Sequence, residues 1–456
     1  YQNAVGGVHI LPFFPSSADR GFAPMCYDKV DEKFGDFSDV EALGKEYYLM
    51  FDFMVNHISA SSVYFKDFLE KKDASAYKDM FIRYSQFWKN GEPTQEQTDL
   101  IYKRKPRAPY VDVTFSDGSR DKVWCTFCEE QIDLDIRTDV TKKFIRDTLL
   151  SMCHHGASVI RLDAFAYAPK KPGERNFLNQ PDTWELLNKI KQIAEPYGME
   201  LLPEIHESYS EKIYEKIAEQ GYVTYDFFLP GLIIDALESG NGEHLAGWAQ
   251  ELIDKNIRTV NMLGCHDGIP LLDLKGILAE DRIQKLIDII VSRGGYVKDL
   301  HGQKNIYYQV NATYFSALGE DERKMLLARA LQIFMPGKPQ IWYLDLFAGK
   351  NDYEAVKKAG PGGHKEINRT NLTTAQACSG LSKPIVKQQL ELLRFRNSCP
   401  AFSEESRIKV SSEGSRICFV WEHQGCTAQL KANLQDCSYV IEFCDQDRKR
   451  TLITEG

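Results

Sequence analysis

The sequence predicts an α/β fold, a (β/α)₈ barrel that carries inserted segments and ends in a small antiparallel β domain. Three observations predict it. Near-continuous apolar runs alternate with amphipathic helical stretches along most of the chain, as parallel strands covered on both faces require. At 456 residues, 43% apolar and 27% charged, the chain can bury a large core. Acidic residues recur where the apolar runs stop, and the strand ends of a barrel converge on one face where active sites form. No GxGxxG turn follows any run, which disfavours a doubly wound dinucleotide fold.

Taken in order, VGGVHILPFF (residues 5–14) reads as a strand entering a loop, and YYLMFDFMVNH (47–57) as the next strand. ASVIRLDAF (157–165), MELLPEIHE (199–207), VTYDFFLP (223–230), TVNMLGCHDG (259–268) and KPQIWYLDL (338–346) read as further strands. Helical periodicity fills SDVEALGKEY (38–47), while DTWELLNKIKQIAEPYG (182–198) and DERKMLLARALQIFMPG (321–337) each stop on a glycine. Two intervals are too long for plain connections. The expected organisation is therefore barrel over 1–57, an inserted domain over 58–132, barrel over 133–268, a second insertion over 269–318 and barrel over 319–403. From 404 to 456, short alternating runs such as SRICFVWEH and CSYVIEFCD read as the antiparallel β domain.

Composition narrows the partners. A net charge of −9 without a basic stripe argues against nucleic acid. No stretch reaches the ~18 apolar residues that a membrane helix needs. The 11 cysteines follow no framework, and Cys125 and Cys128 form a lone CxxC pair with no second pair to complete a zinc site, so reduced thiols in a cytoplasmic protein are expected. Aromatic residues reach 12%, useful as sugar-stacking platforms but more commonly core.

The run ends carry the chemistry. Asp52 and His57 close one, Arg161 and Asp163 another, Glu204 and His206 a third, His266 and Asp267 a fourth. Any one such acid is ordinarily a helix cap or a loop ion pair; the recurrence at four ends is what points to a site. Two carboxylates across a glycosidic bond are the minimum for glycoside chemistry. One must stay ionised to attack, and Arg161, two residues before Asp163 and on the same strand face, suits that. The other must hold a proton, and the apolar setting of Glu204 in LLPEIH suits an acid/base. Asp267 could grip hydroxyls and stabilise developing positive charge.

These stretches resemble the α-amylase superfamily of retaining α-glycosidases and transglycosidases (glycoside hydrolase family 13), whose motif regions stand in order as DFMVNH, IRLDAF, LPEIH and GCHDG. Within it, GGVHILPFFPSSADRGFAP, EEQIDLD, YQVNATYFSALG, FAGKNDYEAV and EINRTN resemble the group of sucrose and sucrose 6'-phosphate phosphorylases. The resemblance implies Asp163 as nucleophile, Glu204 as acid/base and Asp267 as transition-state stabiliser. It implies Asp19, His57, Arg161, His266 and Arg369 on the glucosyl unit, with Phe22 as its apolar platform. Phe127, Gln131, Tyr308 and Gln309 would shape the acceptor site. In IYKRKPRAPY, Lys103, Arg104, Lys105 and Arg107 are candidates to meet phosphate, although read alone they form an ordinary solvated basic loop.

The implied reaction converts sucrose and phosphate into α-D-glucose 1-phosphate and fructose with retention, needing no cofactor and no metal. The expected partners are a small sugar and inorganic phosphate, with a homodimer as an assembly to test. PSSADRGFAP matches the sucrose 6'-phosphate enzymes, whereas Tyr308 matches the sucrose enzymes, so fructose and fructose 6-phosphate both stand as products. Open alternatives are an α-glucoside hydrolase, a glucosylglycerol or glucosylglycerate phosphorylase, and an inactive sugar-binding relative. The family begins with a strand and helix ahead of GGVHILPFFP, so the chain is expected to be a fragment lacking them.

Overall fold

The structure, a computed structural model, describes residues 3–299, 307–445 and 448–455. The chain divides into two units, residues 7–205 with 300–302, and residues 1–6 with 206–299 and 303–456.

The first unit holds β1 (Gly7–Ile10), β2 (Tyr48–Met54), β3 (His57–Ser59), β4 (Tyr110–Thr114), β5 (Arg120–Trp124), β6 (Gln131–Asp133), β7 (Ala157–Asp163) and β8 (Glu200–Pro203). Four of them form a parallel sheet in the order β1-β2-β7-β8. The side chains of β2 and β7 are buried along nearly their whole length, because helices such as Asp139–His154 and Asp182–Ala194 cover the sheet. The segment between β3 and β6 builds its own apolar centre. Phe65, Phe68, Phe81, Val123 and Ile132 form one cluster, and Tyr84, Trp88 and Trp124 a neighbouring aromatic one.

The second unit holds β9 (Thr224–Asp226), β10 (Thr259–Asn261), β11 (Ile269–Pro270), β12 (Tyr296–Asp299), β13 (Tyr307–Asn311) and β14 (Lys338–Pro339). The strands β14, β10 and β9 pair in parallel in that order, while β11-β13-β12 form an antiparallel sheet inside the second expected insertion. A five-stranded antiparallel meander follows: β15 (Arg407–Glu413), β16 (Arg416–His423), β17 (Cys426–Asn433), β18 (Tyr439–Asp445) and β19 (Arg448–Glu455). It joins the same core: Phe334 packs with Phe402 and Phe395, and Trp421 Nε1 donates to the Phe334 carbonyl at 2.8 Å.

Several expected strands are shorter than their apolar runs, TVNMLGCHDG for one being extended only over Thr259–Asn261, and two of them show why. In KPQIWYLDL only Lys338–Pro339 is extended, and Tyr343–Leu346 is a helical turn. An apolar run alone does not separate a buried strand from a buried helix. In VTYDFFLP the strand stops at Asp226, whose carboxylate accepts from the backbone N–H groups of Phe228 and Leu229 and starts the helix Leu229–Ser239. All 11 cysteines are free thiols, as the sequence leads one to expect. Among the described residues no helix is long and apolar enough to cross a membrane.

Candidate active site

Parallel register places the chemistry of the first unit. Asp52 on β2 is paired with Arg161 on β7, and Leu162 with Pro203 on β8, so three strand ends arrive side by side. Asp52 is fully buried. Its Oδ2 lies 2.6 Å from His9 Nε2, which must carry the proton against a carboxylate, and its Oδ1 accepts from Arg161 Nη1 at 2.7 Å. The same Arg161 nitrogen donates to Asp163 Oδ1 at 3.0 Å. One guanidinium thus holds two carboxylates through two charge-assisted bonds. After Asp163 the chain turns through Ala164 in the left-handed region (φ 50°), and the Ala164 N–H donates to Glu204 Oε2 at 3.1 Å. Glu204 is thus bonded to the residue that follows Asp163, and both acids are half-buried. Burial pushes the Tyr27 hydroxyl well above its ordinary value, with Asp163 and Asp52 adding to the effect, so the ring stays a neutral neighbour.

A second layer of contacts shapes the adjoining wall. His57 Nε2 and Gln131 Nε2 both donate to the Phe22 carbonyl, each at 2.9 Å, and the Arg161 guanidinium lies 6.0 Å from the Phe22 ring centre. Burial lowers the His57 imidazole below its ordinary value despite Asp133, Asp19 and the Phe22 carbonyl, so His57 acts as a neutral donor. Asp19 and Arg20 sit at φ 49° and 47°, a strained pair in the loop ahead of Phe22. Lys170, buried, reaches Asp133 at 2.9 Å and Asn56 Oδ1 at 3.0 Å, tying the strand after Asn56 to the loop after β7.

The basic loop divides by role. Arg107 donates to the carbonyls of Ala108, Tyr110, Cys125 and Phe127, so its guanidinium serves as a buckle for the inserted segment. Arg104 instead lies 5.9 Å from the ring centres of both Phe127 and Tyr167. Phe127 in turn meets His57 edge-on at 5.5 Å. Lys103 and Lys105 are half-buried.

The second unit builds around Asp267. Lys365 Nζ lies 2.6 Å from Asp267 Oδ1, Arg369 Nη2 3.5 Å from the same oxygen, and His266 Nε2 3.3 Å from Oδ2. Burial raises the Asp267 carboxyl, but His266, Lys365 and Arg369 outweigh it and hold the group well below the usual carboxylate range. The backbone is fixed from outside: Arg369 Nε donates to the His266 carbonyl, Asn368 Nδ2 to that of Cys265, and Asn311 Nδ2 to that of Asp267. Gly268 follows at φ 109°, where a β-carbon would lie 2.6 Å from the Val310 carbonyl oxygen. Gln309 is buried on β13, opposite Pro270. The Tyr308 side chain lies outside the described residues. Cys265, His266 and Asp267 offer ligand atoms within 4.8 Å of one another. The cations on Asp267 occupy the charge that a metal would require, and a donor set already neutralised this way suits a metal poorly.

Lys365, His9 and Lys170 are not anticipated by the sequence reading. Lys365 stands on a short 3-10 helix, His364–Asn368, four residues before Arg369, without periodicity to mark it. His9 is a lone polar residue inside the apolar run VHIL, a position ordinarily read as core.

Comparison with known proteins adds an independent line. Residues 4–245 match the family described as Alpha amylase, catalytic domain. The chain is 44% identical to a sucrose phosphorylase of Streptococcus mutans, covering 98% of this chain and 93% of that protein. It is 43% identical to a sucrose 6(F)-phosphate phosphorylase of Ilumatobacter coccineus, covering 97% and 90%. Its structure superposes on the crystal structure of sucrose 6F-phosphate phosphorylase from Thermoanaerobacter thermosaccharolyticum with a TM-score of 0.94 at 35% identity, covering 99% and 92%.

Proposed function

The chain belongs to the α-amylase family and, within it, to the sucrose phosphorylase group, and on that premise we propose that it transfers glucosyl units from sucrose or sucrose 6'-phosphate to inorganic phosphate. Its fold class is the (β/α)₈ barrel of that family with a C-terminal antiparallel sheet. It is an enzyme of the hexosyl-transferring, disaccharide-phosphorylase type.

In this reading Asp163 Oδ attacks the anomeric carbon while Glu204 gives its proton to the departing fructosyl oxygen. The bond to fructose (or fructose 6-phosphate) breaks and a β-glucosyl ester of Asp163 forms. Phosphate then enters the vacated space, its oxygen attacks the same carbon from the face that fructose left, and Asp163 is released. Two inversions give α-D-glucose 1-phosphate. Glu204, now ionised, takes whatever proton the phosphate brings. Asp267, kept ionised by its cations, is assigned the stabilisation of oxocarbenium charge. Asp19, His57, Arg161, His266 and Arg369 are assigned to the glucosyl hydroxyls, Phe22 to its apolar face. Phe127, Gln131, Tyr308 and Gln309 are assigned to the acceptor. Of the basic loop, Arg104 is the preferred phosphate partner, because Arg107 is engaged with backbone carbonyls.

The observation that carries the mechanism is the sequence of contacts at this strand end: Arg161 holds Asp163, and the next residue, Ala164, donates its N–H to Glu204. The test is phosphate dependence. With sucrose or sucrose 6'-phosphate as donor, glucose 1-phosphate should appear only when phosphate is present. Equal cleavage without phosphate, releasing free glucose, replaces the phosphorylase reading with a hydrolase.

A further inference from the structure

We infer that His9 is a positioning residue for the nucleophile: through Asp52 it fixes the Arg161 nitrogen that holds Asp163, an inference that rests on the assignment of Asp163 above. The register explains how a residue on β1 reaches it. His9 pairs with Met50, and Asp52 lies two residues further along β2 on the same face of the sheet. The His9 side chain is 11% exposed and Asp52 not at all. Burying a carboxylate is costly unless strong donors meet it. Arg161 Nη1 is one such donor, but it is shared, at 2.7 Å with Asp52 and 3.0 Å with Asp163. His9 Nε2–H supplies the opposite oxygen of Asp52 at 2.6 Å.

Sharing makes the two carboxylates competitors for one nitrogen. With the His9 donor in place, part of the Asp52 demand is met on the far side, and the guanidinium stays balanced between its two acceptors. Without it, Asp52 draws the guanidinium towards itself, the Arg161–Asp163 bond lengthens, and the nucleophile loses its aim. His9 touches neither the sugar nor a reacting atom in this account; it acts through two intermediaries. A purely structural histidine in an apolar strand would need only volume and any acceptor for its proton.

The experiment compares His9→Phe, which keeps the ring volume but removes the donor, with His9→Gln, whose amide restores an N–H at similar reach. Both are measured beside Asp163→Asn. His9→Phe should lose roughly ten- to a hundred-fold in kcat and in kcat/KM together, the size of one lost charge-assisted hydrogen bond, with the donor KM moved less than about two-fold. His9→Gln should recover most of that loss. If His9→Phe does not fold, His9→Leu serves as the donor-free arm. A folded donor-free variant with wild-type kcat overturns the inference, as does a loss that His9→Gln leaves unrepaired. An inactive Asp163→Asn beside fully active His9 variants sinks the positioning role alone, whereas an active Asp163→Asn removes the nucleophile assignment on which it stands.

Discussion

Arg161 and Asp267 solve opposite problems with the same material. At Asp163 one guanidinium is divided between two acids, so the proposed nucleophile is held by a bond that another acid competes for. At Asp267 the cations Lys365 and Arg369 and the imidazole of His266 converge on one acid. The first arrangement leaves a carboxylate able to leave its partner and attack; the second makes a fixed negative charge. Two residue-scale predictions follow from this contrast. Asp163→Asn keeps the shape but cannot form the ester, and should lose about 4–8 kcal/mol of transition-state stabilisation, measured as kcat/KM for the donor. Lys365→Met removes one of the cations holding Asp267 down. Its carboxyl then rises towards the ordinary value, and the acid limb of the kcat/KM profile should move to higher pH. Stability carries the same sign. The folded-state value of Asp267 lies below its unfolded one, so its contribution is present above the ordinary carboxylate range and is lost as pH falls through the folded value. The difference in Tm between wild type and Lys365→Met should therefore be largest near neutral pH and shrink in acid. A constant difference across that range would assign Lys365 a packing role only.

Strands and loops decide which of these residues could be foreseen. The parallel strands were legible because continuous apolar runs must be buried on both faces, and the acids at their ends were legible because each broke such a run. The lengths of the runs were not. Tyr343–Leu346 reads as extended because buried helix and buried strand share one composition. Partners supplied by a short helical turn, such as Lys365, or by a strand distant in sequence, such as His9, carry no local signal; their contacts to Asp267 and Asp52 span 98 and 43 positions. The turn after Asp267 is a case in which local sequence and long-range packing agree. Gly268 adopts a positive φ of 109°, and a β-carbon there would lie 2.6 Å from the Val310 carbonyl of β13. Gly268→Ala should cost roughly 1–3 kcal/mol in denaturant unfolding, the scale of a forced backbone conformation. Because relief of the clash moves Asp267, activity should fall further than the folded fraction does. An Ala variant that keeps full kcat would show that the turn tolerates displacement.

At the scale of the whole molecule the difficulty is charge. The chain carries −9 overall, and its proposed second substrate is itself an anion that must reach a carbon esterified to a carboxylate. Net attraction cannot bring it there, so a local cation has to. Among the residues proposed for this task, Arg107 is held by four backbone carbonyls, whereas Arg104 lies over the rings of Phe127 and Tyr167, the first of which also meets His57. In the proposed mechanism the glucosyl-enzyme is a branch point at which phosphate and water compete, and the branch ratio reads phosphate binding separately from the first chemical step. Arg104→Met should leave formation of the glucosyl-enzyme close to wild type. It should raise the KM for phosphate by roughly ten- to a hundred-fold, the scale of one charge-assisted hydrogen bond. At fixed phosphate, the ratio of glucose 1-phosphate to free glucose should fall accordingly, and saturating phosphate should restore it. The donor series sharpens the outcome. If Arg104 serves inorganic phosphate, the variant changes the branch ratio equally with sucrose and sucrose 6'-phosphate; if it serves the phosphate of the leaving sugar, only the second donor loses kcat/KM. An unchanged branch ratio with both donors, together with unchanged kcat/KM, would move the anion site away from Arg104 and leave the opposition between a negative chain and an anionic acceptor to be met by Lys103, Lys105 or residues outside the loop.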